Sequence, residues 1–201
     1  MRLLALALRA LLFPFAENKH GDAPMRALIA ERMVLDPASA ADPRTYCQFG
    51  PLHTALMRPF VAADRYAPRS TRVLSLLAGI AVFFPFLAFA ERLVGRPRAA
   101  LAAFALAVSP LHLQASTTAS SEALYLLLFV AALERLLAGL EGGRARDFAF
   151  AGLLASLAAV TRYDAWLALP LLVVAAAALR PEGLRAPFLK LGLFSAAASP
   201  V

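Results

Sequence analysis

The sequence predicts an all-α membrane protein: a polytopic bundle of transmembrane helices, with one long outer loop carrying short interfacial helices between its first two apolar segments. Three observations predict this class. Hydrophobic residues fill 61% of the 201 positions and charged residues only 16%, against about 45–50% and 25% in soluble domains. The apolar residues fall into blocks separated by short charged stretches, the pattern a bilayer selects. The blocks also lack the period-two alternation of a membrane barrel, so their backbones must be satisfied inside helices.

The first block, Leu3 to Ala16, is a shortened first span. Its 14 residues cover only ~21 Å of a ~30 Å hydrocarbon core. Arg9 interrupts it, and Phe13-Pro14-Phe15-Ala16 offers no small-x-small cleavage site, which argues against a signal peptide. Residues 17–71 then form the long loop, with seven Lys/Arg and six acids. Inside it, Asp22-Ala23-Pro24 starts a helix. Met25, Leu28, Ile29 and Met33 recur on one face, with Arg26, Glu31 and Arg32 elsewhere, as an interfacial amphipathic helix requires. Asp36-Pro37 and Asp42-Pro43 break it, and a second short helix runs from Leu52 to Met57 before Pro59 ends or kinks it.

Five apolar blocks follow, at about 73–90, 99–113, 122–138, 148–161 and 165–179, and another begins near Phe188. Several are short, so their helices extend into the flanking polar residues. The loops between them fix an orientation. Loops 91–98, 134–147 and 180–190 hold Arg92, Arg96, Arg98, Arg135, Arg144, Arg146, Arg180, Arg185 and Lys190. The alternate loops, 109–122 and 161–165, hold Arg162 alone. Cytoplasmic loops are the positive ones, so the N-terminus is cytoplasmic and the 17–71 loop lies outside.

The same distribution accounts for the net charge of +7 without nucleic acid, because a nucleic-acid reader needs a basic face on a soluble fold. Arg outnumbers Lys by 18 to 2 and Ala is abundant, a bias of GC-rich coding; the expected location is a bacterial inner membrane. Cys47 is the single cysteine, so no intrachain disulfide or paired-cysteine metal site is available.

Polar residues on the outer side form the candidate site. Asp22 follows the first span, Glu122 opens the fourth after Ser120-Ser121, and Arg162-Tyr163-Asp164 joins the fifth and sixth. Two carboxylates and a cation at one water–membrane boundary can supply a general base and a second acid, or hold a phosphorylated ligand. The bland readings are an Asp22 helix cap, a Glu122 that favours its helix N-terminus, and an Arg162–Asp164 turn pair. His20, His53 and His112 also fall on this side, but none has the i, i+4 spacing of a zinc site, so no metal or other cofactor is expected.

Four stretches together resemble the N-terminal part of the GT-C glycosyltransferases, the group of the protein O-mannosyltransferases and the lipid A aminoarabinose transferase. They are His20-Gly21-Asp22-Ala23-Pro24-Met25-Arg26, Phe49-Gly50-Pro51-Leu52-His53, Ser120-Ser121-Glu122-Ala123-Leu124-Tyr125 and Thr161-Arg162-Tyr163-Asp164-Ala165-Trp166. The likeness spans roughly residues 1–180. It implies transfer of a sugar from a polyprenyl-phosphate carrier to a lipid, glycan or protein acceptor on the non-cytoplasmic side, in contact with membrane lipids. Asp22 matches the loop-one Asp, the expected general base. Glu122 falls where a second acid often sits, although many relatives have Asp. Gly50-Pro51-Leu52-His53 resembles a Pro-Pro-Leu-Tyr sequence and departs from it at both ends. The resemblance makes Arg162 a candidate for the carrier phosphate, with Tyr163, Asp164, His53 and Arg26 as further substrate-binding residues.

Such relatives carry several more spans. This sequence ends at Ser199-Pro200-Val201 inside an apolar run, so the expectation is that residues 1–201 are the N-terminal part of a longer transmembrane module. Two other classes fit the composition. A transporter or channel subunit would need broken helices with charges at mid-membrane, and Pro85 and Pro170 have none beside them. A non-catalytic membrane scaffold makes no demand on Asp22.

Overall fold

In a computed structural model the described residues are 2–171, apart from 19–20, 47–48, 65–68 and 169. The apolar blocks from residue 172 onward, the loop 180–190, His20 and Cys47 lie outside them. Every regular element among the described residues is helical: α1 (Arg2–Leu12), α2 (Ala23–Leu35), α3 (Pro43–Tyr46), α4 (Pro51–Ala63), α5 (Val73–Ala81), α6 (Phe83–Val94), α7 (Arg96–Val108), α8 (Pro110–Thr117), α9 (Glu122–Gly142) and α10 (Ala145–Thr161), with 3-10 turns at Pro37–Ala41 and Ser70–Arg72.

Among the described residues two helices are long and apolar enough to cross a bilayer: Ser70–Val94, 25 residues, and Glu122–Gly142, 21 residues. At 1.5 Å per residue they reach about 37 and 31 Å. The first is one rod made of α5 and α6. Pro85 has no N–H to give Ala81, and the regular ladder lapses at Val82. Helix α1 is only 11 residues long, about half a crossing, because the chain turns at Phe13–Phe15 around Pro14.

The block 99–113 departs from the predicted single run. The chain becomes extended at Ser109, and Pro110 starts α8 at 59° to α7. The residue before a proline avoids the helical region, so Ser109-Pro110 sets the break. α8 returns toward α5, where a β-carbon on Gly79 would lie 2.1 Å from Ser116 Cβ. The residues 109–122, predicted as a loop, thus contain a helix.

Helix α10 lies along α9 through Ala132, Leu136, Phe148, Ala151 and Ala155. At the end where α6, α9 and α10 carry their positive loops, Arg92 pairs with Glu134 and Glu141, and Arg135 and Arg144 pair with the buried Asp147. The other end carries residues 17–71. There α2 packs on α4 through Ala23, Ala27, Ala30, Met57 and Val61. Its apolar face differs from the predicted one: Ile29 and Met33 are buried, but so is Arg26, while Met25 and Leu28 are exposed. Small alanines against α4, rather than the longer side chains, define the buried stripe. Helix α4 also outruns its predicted end, continuing through Pro59 to Ala63.

Two side chains fasten this end. Asn18 donates to Thr71 Oγ1 at 3.0 Å and accepts from the Ala119 N–H at 2.7 Å. The buried Arg72 donates to the carbonyls of Phe13, Ala16 and Thr117, and its guanidinium lies over the Phe13 ring. It thereby serves orphan carbonyls just beyond α1 and at the end of α8.

Candidate functional site

A cavity of about 490 Å³ opens between the start of α2, the α7–α8 break and the first turn of α9. Asp22 and Glu122 both line it, with His112, Gln114, Thr118, Ser120 and Tyr125 among the other walls. Carboxylates 100 positions apart in the sequence therefore face one space. Asp22 is the N-cap of α2, yet its side chain makes no capping hydrogen bond. Its exposure is thus not explained by helix capping. Glu122 is the first residue of α9, where a carboxylate suits the positive helix end. It accepts from the Ser120 hydroxyl and from Arg162 Nη1, the latter at 2.5 Å.

Arg162 follows the last turn of α10 and uses its fork on two carboxylates. Nη1 holds Glu122, and Nε and Nη2 reach Asp164 Oδ2 at 3.0 and 2.6 Å. The Arg162–Asp164 turn pair expected as the bland reading exists, and Glu122 joins it. Tyr163 donates its hydroxyl to the Phe49 carbonyl at 3.2 Å and meets the Trp166 ring edge-on.

The loop and α10 meet with no space between them. A β-carbon on Gly50 would lie 2.3 Å from the Val160 carbonyl oxygen and 2.4 Å from that of Thr161. Only glycine permits that approach. Phe49, one residue earlier, carries the Arg26 guanidinium 4.5 Å above its ring. Arg26 is 2% exposed, and its Nε and Nη1 find no hydrogen-bond partner among the described residues. Burial pulls this guanidinium below its ordinary pKa, while Asp22 and Glu122, close enough to act on it, pull the other way.

His53 stands behind this layer, fully buried and apart from the cavity lining. Its Nε2 lies 3.1 Å from Ser75 Oγ, and Ser75 gives its own proton to the Ser120 carbonyl at 2.7 Å. Ser75 must then accept, which makes His53 the Nε2–H tautomer and leaves Nδ1 bare. Nδ1 has no partner among the described residues. Burial, and then the positive Arg26, push this imidazole down to about 3.

The seven predicted residues thus converge in two tiers. Asp22 and Glu122 line the cavity; Arg162, Asp164, Tyr163, Arg26 and His53 surround it through the contacts above. Among the described residues no three His, Cys, Asp or Glu side chains gather as a metal-binding group. Ser75, Asn18 and Arg72 escaped the sequence reading because each sits among apolar or loop residues with no motif. Arg72 had one signal, a charge at the head of an apolar block.

Against known proteins, the family model for dolichyl-phosphate-mannose-protein mannosyltransferase matches residues 50–201. No curated protein and no solved structure matches. The matched stretch holds Gly50, His53, Glu122 and Arg162–Asp164, and begins after Asp22 and Arg26.

Proposed function

The chain belongs to the dolichyl-phosphate-mannose-protein mannosyltransferase family, membrane glycosyltransferases of the GT-C superfamily, and from that premise we propose a mechanism of sugar transfer for this site. The protein takes a sugar from a polyprenyl-phosphate donor and passes it to a lipid, glycan or protein acceptor on the non-cytoplasmic side. The observation that carries this reading is the shared cavity of Asp22 and Glu122, flanked by Arg26 and Arg162.

Asp22 is the general base. As the acceptor hydroxyl oxygen attacks the anomeric carbon, its proton passes to the Asp22 carboxylate. The bond from that carbon to the phosphate oxygen breaks, and the phosphate leaves with the electron pair. Attack opposite the leaving group inverts the anomeric centre. Glu122, held by Arg162 and Ser120, orients the acceptor or the sugar. Arg26 carries the larger share of the phosphate charge, because Arg162 already serves two carboxylates and a buried cation gains most from an anion. Tyr163 and Asp164 hold the turn that presents Arg162, and His53 holds the Ser120 turn through Ser75.

Transfer of labelled sugar from dolichyl-phosphate mannose, assayed in membranes, tests the reading. Asp22→Asn should lower the rate by about 10²–10⁴-fold, the usual worth of a positioned base. Membrane insertion and expression should stay normal, since the Asp22 side chain makes no capping hydrogen bond for the change to remove. Near-normal transfer by Asp22→Asn would remove Asp22 as the base.

A further inference from the structure

The cavity that holds the two carboxylates is polar mainly at its rim. Asp22 and Glu122 are both exposed there, and Ser120 donates to Glu122 beside them. Most of the remaining wall is apolar, supplied by Leu106, Leu111, Ala115, Ala123 and Leu126. Leu126 stands one turn beyond Glu122 along α9, about 6 Å nearer the middle of that span. Leu106 belongs to the last turn of α7. Both pack on the apolar cluster of Val82, Phe83, Ala103, Ala107 and Val130, so the floor of the cavity is the core of the bundle. His112 is part of the wall but brings no free polar atom to it. Its Nδ1 meets Arg9 Nη2 at 2.8 Å, and its Nε2 is sealed from solvent. Charge at an open rim above a hydrocarbon floor is the profile of an amphiphile.

From this gradient, and resting on the sugar-transfer reading above, we propose that the acceptor is a lipid alcohol with an uncharged head. Its hydroxyl lies at the rim between Asp22 and Glu122, and its hydrocarbon lies along Leu106, Leu111, Ala115 and Leu126. In the transfer step the lipid oxygen bonds to the anomeric carbon and its proton passes to Asp22. The bond from that carbon to the phosphate oxygen breaks, and the phosphate leaves with the electron pair. A peptide acceptor fits this space less well, because its backbone N–H and C=O groups would face walls with few partners for them. The donor's own chain fits less well too. Its phosphate would follow it to the two carboxylates, whereas Arg26, the phosphate partner, is not among the lining residues. The same repulsion disfavours an anionic lipid head. The volume of about 490 Å³ falls in the usual range of roughly 300–1,000 Å³ for mostly apolar small-molecule sites.

The test places the whole chain in lipid nanodiscs with diacylglycerol that carries a diazirine in its tail, or with phosphatidic acid labelled in the same way. Mass spectrometry then maps the labelled residues. Leu101 and Phe104, exposed on α7, report contact with bulk lipid and serve as the reference. Relative to them, diacylglycerol should label residues 106–126 several-fold more than phosphatidic acid does. Ala115→Leu fills the cavity and should abolish that excess. It should also abolish transfer of labelled mannose from dolichyl-phosphate mannose to diacylglycerol. Leu111→Asn, at a side chain 79% exposed and so of little weight in folding, should weaken both signals several-fold. Equal labelling by the two lipids, or an excess that survives Ala115→Leu, would overturn the inference; the first of these needs no variant to fold. Transfer to a serine- or threonine-containing peptide but to no lipid alcohol would strike this inference alone. Cavity labelling without transfer to any acceptor would strike the sugar-transfer reading and keep the lipid site.

Discussion

Arg162 reaches Glu122 across 40 residues of sequence, Nη1 to Oε1 at 2.5 Å, and closes α10 onto the first turn of α9. Because the same guanidinium also holds Asp164, Glu122 is oriented by a side chain that cannot rotate without losing two partners. A double-mutant cycle with Glu122→Gln and Arg162→Gln should therefore be non-additive in transfer rate. Each single change should cost about 10- to 100-fold, and the pair scarcely more than either. Folding should respond by under about 1 kcal/mol, because both side chains keep access to solvent. Additive losses in rate would show that the two act separately.

Gly50→Ala should damage the seam between α4 and α10. The added carbon would meet two carbonyl oxygens that cannot swing aside, and overpacking of this kind costs about 1–3 kcal/mol. Gly142→Ala is the control, since its β-carbon would find only the Arg144 side chain at 3.6 Å. Limited proteolysis of the 17–71 loop should accelerate for the first change and not for the second.

His53 gives the fold a pH dependence of known sign. Its folded pKa, about 3, lies below the ordinary 6.5, so the unfolded chain takes a proton that the folded one refuses. The contribution is complete above about pH 6.5 and is lost as pH falls from there toward 3. The thermal midpoint of detergent-solubilised protein should drop over that window. His53→Gln, which keeps a donor for Ser75 but does not titrate, should flatten the drop. An unchanged slope would place the dependence on other groups.

Reporter fusions test the orientation implied by the charged loops. A fusion after Gly143 should be cytoplasmic and one within residues 37–45 external. Finding both on one side would break the proposed compartment for the site.

Much of this arrangement was legible in the sequence, for identifiable reasons. Long apolar blocks must be helices in lipid, and the proline-led start at Pro24 marks where α2 begins. Of the four motif stretches, those around Asp22 and Glu122 line one cavity, and those around Gly50–His53 and Arg162–Asp164 are tied to it through Ser75, Glu122 and Phe49. What stayed hidden depends on tertiary partners. Arg26 looked like the polar face of α2 because helical periodicity cannot tell a solvated cation from one laid over Phe49. The break at Ser109 was masked by apolar residues on both sides. His112 and Arg9 are 103 positions apart, and no spacing rule joins them.

Arg72 bears on how the protein is made. Its guanidinium accepts its geometry from carbonyls at residues 13, 16 and 117, which leave the ribosome far apart in time. When Arg72 emerges, the end of α1 is already waiting, but Thr117 is 45 residues from being synthesised. Asp22 waits longer still, for Glu122 and then for Arg162. The first half of the cavity lining is thus synthesised well before its second half exists. The cavity can close only once α8 and the first turn of α9, which supply most of its walls, have been made.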